Sequence, residues 1–154
     1  MRQIEALLSE YGESHQNPTN QIIHKVMVPL IMFNVLGLLW AIPSSSNMSE
    51  ISPWLNWSTI FASGCMIYYF VLSKSLFLGM APVLAIMLFG NFYLDGQGIL
   101  LEFSIVSFVI AWIMQFVGHK IEGKKPSFLK DLLFLLVGPL WVLRYFYRKI
   151  GIKI

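Results

Sequence analysis

Residues 2–14 carry Ile4, Leu7, Leu8 and Tyr11 at helical spacing, with Gln3, Glu5, Ser9, Glu10 and Glu13 on the other side. That pattern predicts a short amphipathic helix lying at a membrane interface. Asn17-Pro18 interrupts it, because the residue before proline disfavours helical angles while proline suits the first turn of a new helix. A second helix is therefore expected from Pro18. Beyond it the apolar positions run together, at about 26–42, 57–72, 76–94 and 99–118. These stretches are judged against the roughly 20 residues that cross a ~30 Å hydrocarbon core. Pro29 lies inside the first of them and should bend it. A further apolar stretch, Leu132 to Leu143, is too short to cross and is broken by Gly138-Pro139, so residues 128–147 are expected as a re-entrant or interfacial helix. The fold class predicted is an all-α integral membrane protein forming a single domain over 1–154. It has four transmembrane helices, an N-terminal amphipathic helix and a C-terminal re-entrant or interfacial helix.

Composition strengthens the membrane reading. The chain is 56% hydrophobic and 12% charged, whereas soluble chains run about 45–50% apolar and about 25% charged. A pI near 9.1 raises a nucleic-acid partner, but the basic residues sit beside apolar runs and form no extended stripe. Orientation explains them better. The links 43–56 and 95–98 contain none of the 11 lysines and arginines, so the positive-inside rule puts both termini in the cytoplasm. Trp141, Tyr145 and Tyr147, interleaved with Arg144, Arg148 and Lys149, read as an interfacial anchor. Met1 to Gln16 lacks the apolar core of a secretory signal, and nothing is expected to be removed. Cys65 reads as a small buried hydrophobe. The compact length leans toward a bacterial inner membrane, with the endoplasmic reticulum as the eukaryotic counterpart; the oligomeric state is not legible.

The candidate chemistry is concentrated in three histidines, His15, His24 and His119, all placed where helices reach the cytoplasmic face. His15 follows Tyr11 by four residues and ends the apolar face of the first helix, in an expected half-buried position. Asn20 and His24 share a helix face by the same spacing, and Asn17 is placed to cap that helix. Gln115, His119 and Glu122 line one face at the end of the fourth span, where the i,i+3 pair His119 and Glu122 can converge on one ion. Three imidazoles and a carboxylate suffice for an iron or zinc site with open positions. Each group also has an ordinary reading. His15 fits a helix cap, His24 a headgroup hydrogen bond, His119 a juxtamembrane loop, and Glu122 a weak surface pair with Lys120 or Lys125.

Two blocks change that balance. Tyr11-Gly12-Glu13-Ser14-His15-Gln16-Asn17-Pro18-Thr19-Asn20, followed by His24 and Pro29, is the first; Phe116-Val117-Gly118-His119-Lys120-Ile121-Glu122-Gly123-Lys124-Lys125-Pro126-Ser127-Phe128 is the second. With Gly138-Pro139-Leu140-Trp141 they resemble the 2-hydroxy fatty acid dioxygenase family over essentially the whole chain. The resemblance implies an iron(II)-dependent enzyme of fatty-acid α-oxidation, which uses dioxygen to shorten a 2-hydroxy fatty acid by one carbon. It implies His15, His24 and His119 as the iron-binding histidines, with Glu122 in the same block. In a mechanism built on it, Lys25 or Lys120 attracts the substrate carboxylate, and Tyr11, Asn17 and Asn20 orient imidazoles or substrate. The chain departs from the eukaryotic pattern in its shorter loops and its basic, aromatic tail.

Other classes fare less well. Di-iron membrane hydroxylases need far more than three histidines. A membrane haem protein usually pairs its axial histidines within the spans. The main non-enzymatic alternative is a small membrane protein that binds lipid or acts as a scaffold, with histidines serving only structure.

Overall fold

The computed structural model describes residues 3–44, 46–123 and 134–152. Among these residues the regular structure is helical throughout: α1 (Gln3–Glu13), α2 (Pro18–Ala41), α3 (Ser46–Ile51), α4 (Trp57–Leu72), α5 (Lys74–Gly96), α6 (Leu100–Glu122) and α7 (Val137–Lys149). Three of them, α2, α5 and α6, are long and apolar enough to cross a membrane, while α4 is apolar but only 16 residues long. Their outward faces carry exposed Ile86, Phe89, Val106, Ile110, Ile113 and Phe116. A water-soluble protein would bury that much apolar surface, and a lipid-facing one has no reason to.

Local chemistry explains the boundaries that matter. Asn17 caps α2, its side chain accepting the N–H of Thr19 at 2.9 Å and that of Asn20 at 3.4 Å, and Pro18 occupies the first turn. Asn56 and Thr59 form a reciprocal capping box that starts α4. α6 ends at Gly123. Pro29 and Pro82 lie inside α2 and α5. The short α3 falls in the link 43–56 between the first two apolar runs.

α2 and α6 pack along most of their lengths, with α4 and α5 against the other side of α2. The core joins Met32 and Leu36 of α2, Ala62, Cys65 and Tyr69 of α4, and Leu76, Met80 and Leu84 of α5. Two expectations change here. The apolar face of α1 does not meet lipid: Ile4, Leu8 and Tyr11 are buried, and α7 packs on α1 with Val137 and Leu140 in the same cluster. Gly138-Pro139 does not break a helix either. α7 begins at Val137, so the proline falls in the first turn, where its missing N–H costs nothing. The first part of the expected 128–147 helix, with Lys124, Lys125 and Lys130, lies outside the described residues.

Candidate metal centre

The end of α1, the start of α2 and the end of α6 meet beneath α7, and each brings one histidine. His15 follows α1 in a turn whose N–H bonds back to the Gly12 carbonyl at 3.0 Å. It is buried, not half-exposed as its position at a helix end suggests, because the Tyr11 ring stacks on it at 4.4 Å and Trp141 of α7 lies 5.5 Å away. His24 on α2 and His119 on α6 are buried as well. Ring centroids of His15 and His24 stand 4.1 Å apart, those of His24 and His119 5.1 Å, and those of His15 and His119 5.7 Å. One potential ligand atom from each ring lies within 4.8 Å of the other two.

Two hydrogen bonds fix the chemistry of the rings. His15 Nδ1 lies 2.6 Å from the Tyr11 carbonyl, and His24 Nδ1 lies 3.1 Å from the Asn20 carbonyl. A carbonyl oxygen only accepts, so each ring carries its proton on Nδ1 and presents Nε2 as the acceptor nitrogen. Neutral imidazole in this tautomer, held by a backbone carbonyl, is the form in which histidine binds metals. In tetrahedral geometry, metal–nitrogen bonds of about 2.0–2.1 Å set the nitrogens about 3.4 Å apart. From a spread of up to 4.8 Å, the widest pair would close by roughly 1.4 Å on binding. Three buried imidazole nitrogens fit a divalent transition metal better than magnesium or calcium, which take oxygen.

Glu122 sits elsewhere in the arrangement. Its Oε1 accepts the Gln16 N–H at 2.7 Å, and its Oε2 accepts the Asn17 N–H and the Asn20 amide, each at 2.9 Å. The carboxylate thus ties the end of α6 to the α1–α2 turn, and it is not one of the convergent ligand groups. The i,i+3 spacing placed it correctly on the His119 face, but its side chain reaches sideways to orphan N–H groups at the start of α2.

The remaining expected residues separate into those near the rings and those away from them. Asn20 is buried and also bonds the Ser14 carbonyl at 3.3 Å. Asn17 acts as a cap. Lys25 bends its ammonium over the Tyr145 ring at 3.5 Å, with Gln21 Oε1 at 3.4 Å. Lys120 is exposed, although its neighbour His119 is buried.

Gly118 matters for a reason the sequence hides. A Cβ there would collide with Asn20 Oδ1 and meet His24 Cε1 at 3.2 Å, so a hydrogen at this position lets α6 approach the two polar side chains. Sequence reasoning also missed Trp141 and Arg144 as neighbours of the centre. Their apolar and basic alternation marks an interface, and only the packing of α7 on α1 brings them beside His15. A small apolar cavity of about 30 Å³ adjoins His24, lined by Val28, Ile31, Trp112 and Phe134 among others. A larger recess of about 220 Å³ adjoins His15 on the other side.

No solved structure matches the chain. A family model described as 2-hydroxy-palmitic acid dioxygenase Mpo1-like matches residues 1–150. The chain is 30% identical over 148 residues to the 2-hydroxy-palmitic acid dioxygenase MPO1 of Saccharomyces cerevisiae, covering 94% of this chain and 79% of the yeast protein. On the match that spans both histidine blocks, the chain belongs to the Mpo1-like dioxygenase family.

Proposed function

We propose that the protein is an iron(II)-dependent dioxygenase that converts a 2-hydroxy fatty acid to the fatty acid one carbon shorter, at the cytoplasmic face of the membrane. The observation that carries this reading is the convergence of three buried imidazoles, from the α1–α2 turn, α2 and α6, in a chain similar to a yeast 2-hydroxy-palmitic acid dioxygenase. His15, His24 and His119 are the metal ligands. When bound, iron(II) supplies the redox chemistry toward dioxygen that zinc lacks, with coordination positions left for the 2-hydroxy acid.

The chain's own residues do the rest. The Tyr11 and Asn20 carbonyls hold the rings of His15 and His24 in one tautomer, and the Tyr11 ring fixes the plane of His15. Glu122, with Asn17 and Asn20, sets the distance between the α1–α2 turn and α6, and so the spacing of the three nitrogens. Lys25 and Lys120 give the cytoplasmic face an attractive potential for a carboxylate. The acyl chain lies among the spans in lipid. α4 completes a single domain of four spans; at about 24 Å it is short for the bilayer, a mismatch met by local thinning. Both termini face the cytoplasm, and the chain resides in a bacterial inner membrane.

The decisive experiment adds iron(II) anaerobically to the purified protein, measures bound metal, then supplies 2-hydroxypalmitate and air. Near-stoichiometric iron and appearance of the C15 acid are expected. A protein that takes up no metal and leaves the hydroxy acid unchanged is instead the lipid-binding or scaffolding protein.

A further inference from the structure

The recess beside His15 differs from the cavity beside His24 in carrying two arginines among its lining. His15, Gln21, Trp141, Arg144, Tyr145 and Arg148 line it, within a volume of about 220 Å³. Its walls come from the α1–α2 turn and from one face of α7, on which Arg144 and Arg148 stand four residues apart and so point the same way. Lys25 adds a third cation at its edge, 5.9 Å from the Trp141 ring centre and 3.5 Å from that of Tyr145. Among the described residues, Glu5 is the acidic side chain whose charge acts on Arg144, while partial burial and Arg148 both work against the guanidinium charge. The Tyr145 hydroxyl is likewise held below its ordinary range, first by its hydrogen bond with Lys149 and then by the charges of Lys149 and Lys25. Positive charge is therefore in excess around a concavity whose floor is a histidine of the candidate metal centre.

We infer that this recess is the carboxylate receptor of the enzyme, with Arg144 the anchoring residue and Arg148 its support, and that it selects free 2-hydroxy acids over their esters. The inference rests on the dioxygenase reading above and assigns to α7 the headgroup contact that the mechanism built on the family resemblance gave to Lys25 or Lys120. A guanidinium presents two parallel N–H groups that match a carboxylate. An ester offers no anionic oxygen pair. Because His15 is the wall shared with the centre, a carboxylate seated on Arg144 puts the adjoining carbinol carbon toward the histidines. Arg144 is thus a specificity-determining residue.

The test compares affinities of the purified, metal-loaded full chain in detergent for 2-hydroxypalmitate and for its methyl ester. Wild-type protein should prefer the acid by roughly tenfold or more, and Arg144→Gln should lose roughly 10- to 100-fold in acid affinity, the scale of a charged hydrogen bond. Ester affinity and bound metal should stay constant, and Arg144→Lys should recover part of the preference. Arg148→Gln, at an exposed position that folding tolerates, should show a smaller loss of the same kind. Three results overturn the inference: both glutamine variants keep the acid preference within about twofold; acid and ester affinities fall together; or only binding to anionic phospholipid vesicles weakens. Wild-type protein that holds no metal and consumes no 2-hydroxy acid overturns the dioxygenase reading and this inference with it. Wild-type protein that does both, with variants that keep the preference, overturns the inference alone.

Discussion

α2 and α6 enclose polar side chains at both of their ends, and the two clusters differ in what they are built to do. At one end Asn20, His24, Gln115 and His119 are buried with His15; at the other, about 20 Å along α2, Asn34, Asn91 and Ser104 are buried just as completely. Each cluster has a glycine that admits it. Gly118 of α6 leaves room for Asn20 and His24 of α2, while a Cβ on Gly37 of α2 would collide with Ser104 of α6 and stand 2.9 Å from Asn91 Oδ1 of α5. The distal cluster is stitched by single interhelical bonds, Ser107 Oγ to Asn34 Oδ1 at 2.8 Å and Asn91 Nδ2 to the Phe33 carbonyl at 3.2 Å. Its donors and acceptors are spread along the helices. In the histidine cluster, one ring nitrogen from each of three segments lies within 4.8 Å of the others. Burial of polar groups in a membrane bundle is therefore not what marks a site; convergence of like ligand atoms is.

Substitutions at the two ends should separate these roles. The largest effect belongs to His24→Ala or His119→Ala, which should abolish stoichiometric iron and lower turnover by at least about 100-fold while the chain remains inserted. Element analysis and product chromatography check both, and full iron occupancy in either variant would remove it from the ligand set. Gly118→Ala comes next. Overpacking at this contact should cost about 1–3 kcal/mol and weaken metal retention, whereas Gly37→Ala should cost a similar amount with metal retained, as thermal unfolding and metal content measured together will show. Glu122→Gln keeps the shape of the carboxylate but turns one acceptor into a donor facing N–H groups. Because Glu122 braces the turn, the variant should still load iron, with affinity lowered about 10- to 100-fold; loss of loading as complete as in the histidine variants would make it a ligand. Smallest is Asn91→Ala, expected to cost about 0.6–1.7 kcal/mol with iron content and turnover unchanged.

Much of the helical plan was legible because it rests on local rules. Asn17-Pro18 announces the start of α2, and the apolar run 57–72 coincides with α4. The longer helices overrun their apolar runs, α2 back to Pro18 and α6 on to Glu122, because polar residues continue a helix beyond the hydrocarbon. That His24 and His119 come to the same end of the bundle was also readable, since four apolar helices in up-and-down series return the end of the fourth to the level of the start of the first. Facts that depend on docking were not readable. Spacing gives the face of a residue but not its rotamer, so the bonds that the Glu122 oxygens accept from the Gln16 and Asn17 N–H groups were not readable. Nor does an amphipathic pattern say what covers its apolar side. α1 meets α7 where lipid was expected, and with that contact Trp141, Arg144 and the burial of His15 passed unseen.

That α1–α7 contact ties function to the order of synthesis. His15 is translated well before His119, and Trp141, whose ring lies 5.5 Å from that of His15, follows both. The proposed centre therefore gains its full lining only after α7 has docked on α1. Removing α7 should then weaken a centre whose proposed donors are all still present.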